Sequence, residues 1–97
     1  MSDASTREVT IVNRLGLHAR PAMEFVDTAS RFAAEVRVRR ADAPEKDPGW
    51  VNGKSIMEMM LLAATKGTRL TIEVSGGDAG SALDTLTDLV ARGFNED

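Results

Sequence analysis

The sequence predicts an α+β fold, a two-layer open-faced sandwich in which helices cover one face of a four-stranded antiparallel sheet in βαββαβα order. Three observations lead there. Leu70-Thr71-Ile72-Glu73-Val74 alternates apolar and polar side chains, as a strand with one buried face does. Ala22, Phe25, Val26, Ala29 and Ala33 recur at helical spacing, and Leu83, Leu86, Leu89 and Val90 form a second such stripe. Between and around these segments lie three further strand-like runs and one short helical run, with no internal repeat.

The first strand is expected at Val9-Thr10-Ile11-Val12, where β-branched side chains suit a pleated surface. Asn13 to His18 reads as a loop with Gly16 available for a turn. A helix follows from Ala19, with Pro21 in its first turn, where a missing N–H costs nothing, and an end expected between Arg31 and Ala34. Val36 and Val38 alternate with Arg37 and Arg39 in a half-exposed strand. Arg40 to Gly49 carries Pro44, Pro48, Gly49 and several charges, the composition of a mobile connecting loop. Trp50-Val51-Asn52 returns as a short strand. Ser55 then N-caps a short helix from Ile56 to about Leu62, broken by Gly67. Gly76-Gly77-Asp78 marks a turn and a cap before the last helix, which ends near Gly93.

A chain of 97 residues suits one domain, expected over residues 8–94. Residues 1–7 read as a flexible extension and residues 95–97 as an acidic tail. The chain has no cysteine, which excludes disulfides and thiolate metal sites. One histidine would leave carboxylates alone to complete a metal site, so no metal and no cofactor are expected. A net charge of −3 argues against binding nucleic acid or an anionic membrane. The longest apolar stretch, Ile56 to Ala64, is interrupted by Glu58 and is too short to span a bilayer. The first residues lack the basic start and apolar run of a secretory signal, so a cytoplasmic protein is expected.

Chemistry concentrates around His18. An unperturbed imidazole, with a pKa of about 6.5, is largely neutral and nucleophilic near pH 7. At a helix start it would lie beside the free backbone N–H groups of Ala19 and Arg20, which can meet phosphoryl oxygens. Arg20 adds a planar, permanently charged fork suited to phosphate. No nucleophile motif places a serine beside His18, so a hydrolytic triad is not indicated. Paired acid and base groups for an independent enzyme are also lacking.

The segment Asn13-Arg14-Leu15-Gly16-Leu17-His18-Ala19-Arg20-Pro21-Ala22 resembles the active-site signature of the HPr phosphocarrier family of the bacterial sugar phosphotransferase system. Val51-Asn52-Gly53-Lys54-Ser55-Ile56-Met57 is similar to the stretch in which that family carries a regulatory serine. The likeness runs from about Glu8 to Phe94. It implies a carrier rather than an enzyme, phosphorylated at Nδ1 of His18 by enzyme I and discharged to IIA proteins or domains. It further implies phosphorylation of Ser55 by an HPr kinase/phosphorylase, with Lys54 a candidate to pair with that phosphate, and signalling to a transcriptional regulator. Met23, Ile56, Met57 and Met60 match a docking patch, and methionine's flexibility lets one patch fit several partners. The alternative is a regulatory interaction module of a nitrogen-related or signalling-only branch. A monomer is expected, since a hub for transient partners gains nothing from a permanent interface.

Three features depart from the family's pattern. The connection from Arg39 to Trp50 is several residues longer, Glu58 stands where a small residue is usual, and residues precede Thr6. None touches the His18 motif.

Overall fold

A computed structural model describes residues 4–96. Its strands are β1 (Ser5–Thr10), β2 (Glu35–Arg40), β3 (Val51–Asn52) and β4 (Arg69–Ser75), and its helices α1 (Ala19–Ala29), α2 (Ile56–Met60) and α3 (Ala79–Ala91). A 3₁₀ turn at Gly93–Asn95 follows α3. The antiparallel sheet has the order β1-β4-β2-β3, with Arg7 opposite Ile72, Val38 opposite Ile72 on the other side, and Val38 opposite Val51.

The alternation read in β4 decides which face is core: Leu70, Ile72 and Val74 are buried, as are Val36 and Val38 of β2. Phe25, Ala22 and Ala29 of α1 and Leu83, Leu86 and Val90 of α3 pack over them. The sheet is thus covered on one side and open on the other, as the alternation requires.

Several boundaries differ from expectation. The first strand runs from Ser5 to Thr10 instead of Val9 to Val12, so Ser5, Thr6 and Arg7, expected in the flexible extension, pair with Val74, Glu73 and Ile72, and Ile11 and Val12 fall outside it. Ladder pairing, not side-chain preference, sets this strand, and its exposed edge position explains the polar residues. Residues 1–3 of that extension lie outside the described residues, as does Asp97 of the acidic tail. The helix α1 ends at Ala29, and Ala33 is exposed instead of continuing the stripe. The helix α2 closes at Met60, short of Leu62.

The long connection between β2 and β3 is tied down. Arg39 donates to the carbonyl of Ala43, and Arg40 pairs with Asp42 while reaching the carbonyl of Leu62. Trp50 lies against the guanidinium groups of Arg37 and Arg39, 4.1 and 5.4 Å from the ring centre.

Asp78 occupies the N-cap position of α3, as expected, yet its carboxylate makes no cap bond. It accepts instead from the N–H groups of Ala33 and Ala34, stitching the connection between α1 and β2 to the start of α3. Those two N–H groups, Ala33 first, hold the carboxyl below its ordinary 3.8. A depressed folded-state pKa makes the stabilisation full above 3.8 and lost as pH falls through the folded value. Asp78→Ala should therefore lower Tm at pH 7, and the gap from wild type should close as thermal melts are taken below pH 3.8.

Candidate functional site

The loop from Asn13 to Leu17 positions His18. The Leu17 N–H donates to the Ala64 carbonyl at 2.8 Å, and the Leu17 side chain is buried. Gly16 adopts φ +71°, and a Cβ there would lie 2.6 Å from that same carbonyl oxygen. Only glycine satisfies both the left-handed turn and the close approach. The buried Asn13 side chain donates from Nδ2 to the Gly16 carbonyl at 2.7 Å, bracing the turn from within.

His18 is the N-cap residue of α1, with extended backbone and its carbonyl accepting from the Ala22 N–H. The helix interior begins one residue later, so the N–H groups of Ala19 and Arg20 have no intrahelical acceptor. Pro21 is buried and contributes no donor. The Arg20 side chain is exposed, and among the described residues it forms no ion pair. His18 caps nothing with its ring. The ring is 37% exposed, and its Nε2 lies 2.8 Å from Glu96 Oε1.

Glu96 belongs to the segment expected as an acidic tail. Gly93, Phe94 and Asn95 all adopt positive φ, which turns the chain back towards α1, and Phe94 is buried as the anchor of that turn. The Glu96 carboxylate also accepts from Asn13 Nδ2 at 2.8 Å. The hydrogen bonds from His18 and Asn13 hold its carboxyl below the ordinary 4.5, with the nearby Arg20 charge assisting. The turn-forming residues after Leu89-Val90 were the one local sign that the chain reverses there; nothing local indicates its target.

Ser55 caps α2 as expected, its Oγ accepting from the Glu58 N–H at 3.2 Å. The Glu58 carboxylate is not loose in solvent, since it accepts from the Asn52 N–H. Lys54 directs its ammonium to the Phe32 carbonyl at 2.8 Å, away from the pairing with Ser55 suggested by adjacency. Met59 is the fully buried side of α2, whereas Ile56, Met57 and Met60 face outward, Met57 at 82% exposure. Met23 on α1 is half-exposed, and α1 packs against α2. Leu15 and Leu61 are exposed too, and sequence reasoning passed over both.

A family model described as the PTS HPr component phosphorylation site matches residues 5–92. The chain belongs to the HPr family. The phosphocarrier protein HPr of Pseudomonas putida is 48% identical over 90 residues, covering 93% of this chain and 94% of that one. The phosphocarrier protein NPr of Proteus mirabilis is 37% identical over 91 residues, 94% and 96% of the two chains. Among solved structures, HPr-C-His from Thermoanaerobacter tengcongensis superposes with a TM-score of 0.84 at 35% identity, over 96% of this chain and 98% of that one. The HPr match begins at Ser5, where β1 begins.

Because the HPr signature loop rests on Gly16, Gly16→Ala should destabilise the domain by about 1–3 kcal/mol, the usual cost of a non-glycine residue in this region of φ. Urea unfolding measures it.

Proposed function

We propose that this chain is a phosphocarrier: His18 accepts a phosphoryl group from phosphorylated enzyme I and passes it to IIA proteins or domains of the sugar phosphotransferase system. The observation that carries this reading is His18 at the N-cap of α1, its ring partly open to solvent and followed in the chain by the unpaired N–H groups of Ala19 and Arg20. Those donors and the Arg20 guanidinium face incoming negative charge, where the helix dipole favours it. The cavity of about 570 Å³ bounded by Arg37, Trp50 and Glu73 is elsewhere, and His18 is not among its lining residues. An open histidine suits a macromolecular donor better than a small enclosed substrate. The chain then acts as a substrate of two transfer reactions, not as an enzyme, in the cytoplasm and as a monomer.

Met23, Ile56, Met57 and Met60 form the docking surface in this reading, with Arg20 addressing the acidic rim of each partner's site. Ser55 sits at the border of that surface. A phosphate placed there by an HPr kinase/phosphorylase would bring about two negative charges onto the docking face, changing partner choice by charge without refolding. A transcriptional regulator is the proposed reader of that form. Glu58, one turn away and negatively charged, opposes the modification electrostatically and makes Ser55 a poorer acceptor than the same cap without it.

Incubation with enzyme I and labelled phosphoenolpyruvate should give an acid-labile, alkali-stable label. Label that is acid-stable, or that survives His18→Ala, contradicts the carrier reading. A parallel reaction with the kinase and ATP should give acid-stable label that Ser55→Ala abolishes. Met57→Asp should slow transfer from enzyme I about tenfold, the scale on which a central docking residue acts, with Tm unchanged. Transfer at the wild-type rate would remove α2 from the docking surface.

A further inference from the structure

We propose that Glu96 is a positioning residue for phosphoryl transfer, holding His18 in the tautomer whose Nδ1 carries the free lone pair. This rests on the carrier reading of His18 and assigns a role to the residue that meets its ring. The contact is 2.8 Å, between Glu96 Oε1 and Nε2. An ionised carboxylate can only accept a hydrogen bond, so the ring must donate from Nε2. A neutral imidazole with its proton on Nε2 leaves Nδ1 as the nucleophile.

The carboxylate is itself held. Oε1 takes a second hydrogen bond from Asn13 Nδ2, and the same amide nitrogen donates to the Gly16 carbonyl. Both of those partners are acceptors, which settles the orientation of the Asn13 amide. Asn13 is 1% exposed, so this brace is internal to the loop that aims His18. From the other end, Glu96 is fixed by the positive-φ run of Gly93, Phe94 and Asn95, by its N–H on the Gly93 carbonyl, and by the buried Phe94 ring. Two segments far apart in the chain therefore converge on one ring nitrogen.

The contact acts in both directions of transfer. In uptake, the Nδ1 lone pair forms a bond to phosphorus while the bond from phosphorus to the donor protein breaks and its electron pair stays with the donor. The ring keeps its Nε2 proton and becomes positively charged, and the Glu96 carboxylate offsets that charge. In discharge, the acceptor protein's nucleophile bonds to phosphorus as the Nδ1–P bond breaks and its electron pair returns to Nδ1. Because Nε2 is still protonated, the leaving group is a neutral imidazole and not an imidazolate anion.

The experiment uses the full-length chain, its Glu96→Ala and Glu96→Gln variants, and phosphorylated enzyme I as donor. Ring-nitrogen NMR of the unphosphorylated protein should show the Nε2–H tautomer with a slowly exchanging ring proton in wild type. Glu96→Ala should give a mixture of tautomers and a fast-exchanging proton, and take up phosphoryl about tenfold more slowly, as loss of a charge-assisted hydrogen bond would cause. Glu96→Gln keeps an acceptor oxygen without the charge, so it should restore the tautomer signature and only part of the rate. An unchanged tautomer and an unchanged rate in Glu96→Ala would overturn the proposal, as would a slow Glu96→Ala variant with a wild-type tautomer signature. If wild type itself takes no label from enzyme I, the carrier reading fails, a result distinct from wild type and Glu96→Ala taking label equally.

Discussion

The Ala64 carbonyl receives the Leu17 N–H, and its oxygen lies close beneath Gly16. The loop that presents His18 is placed by that contact. Leu17 is buried by it, the chain is forced into a left-handed turn at Gly16, and the next residue must start a helix whose first side chain is His18. The acceptor lies in the connection between α2 and β4, just after Ala63, which itself has φ +49°. The short helix that bears the exposed methionines and the loop that bears the histidine are therefore one mechanical unit. A displacement of α2 would be felt at His18 through a single backbone hydrogen bond.

The parts of this arrangement that were legible in the sequence are those in which a residue's role is decided by its near neighbours. Leu70, Ile72 and Val74 alternate because one sheet face is covered, and period two survives whatever the partner strands are. Ser55 just before the apolar run from Ile56 is a local capping signal, and Ser55 does cap. Gly16 and Pro21 are readable because a loop turning into a helix start favours those residue types, while His18 and Arg20 are singled out by the resemblance of Asn13 to Ala22 to the HPr signature. The first strand was legible only in part: Val9 is apolar and packs against the core, but Ser5 to Glu8 are strand only because β4 lies beside them, and Ile11 is buried just past the strand's end.

Less was legible where a side chain answers to something distant. Asp78 looks like a helix cap and stands at the cap position, but the N–H groups of Ala33 and Ala34, some 45 residues earlier, are what its carboxylate satisfies. A five-residue helix is too short for a period, so only the resemblance set Ile56, Met57 and Met60 apart from Met59, which is the methionine the core takes in. Lys54 is next to Ser55 in sequence, yet the reach of its chain to Phe32 decides where the charge goes. Glu96 is the extreme case. Its composition says tail, and its geometry is set by backbone dihedrals at Phe94 and Asn95 that their side chains do not advertise.

A carboxylate beside the histidine that we propose as the phosphoryl acceptor raises an electrostatic question, since the incoming group is itself an anion. The arrangement answers it by dividing the imidazole between two fields. At Nε2 the ring meets Glu96, whose charge is already balanced by donors from Asn13 and by the Arg20 charge nearby. The other nitrogen makes no cap bond to the helix, and the unpaired N–H groups of the first turn, Ala19 and Arg20, follow directly in the chain. In the proposed transfer, Glu96 stays held by the Asn13 brace, which does not depend on the charge of the ring. For a carrier that must both accept and surrender the same group, near-balance between the two ring states matters more than tight stabilisation of either, since stabilising one lowers the barrier in one direction only by raising it in the other.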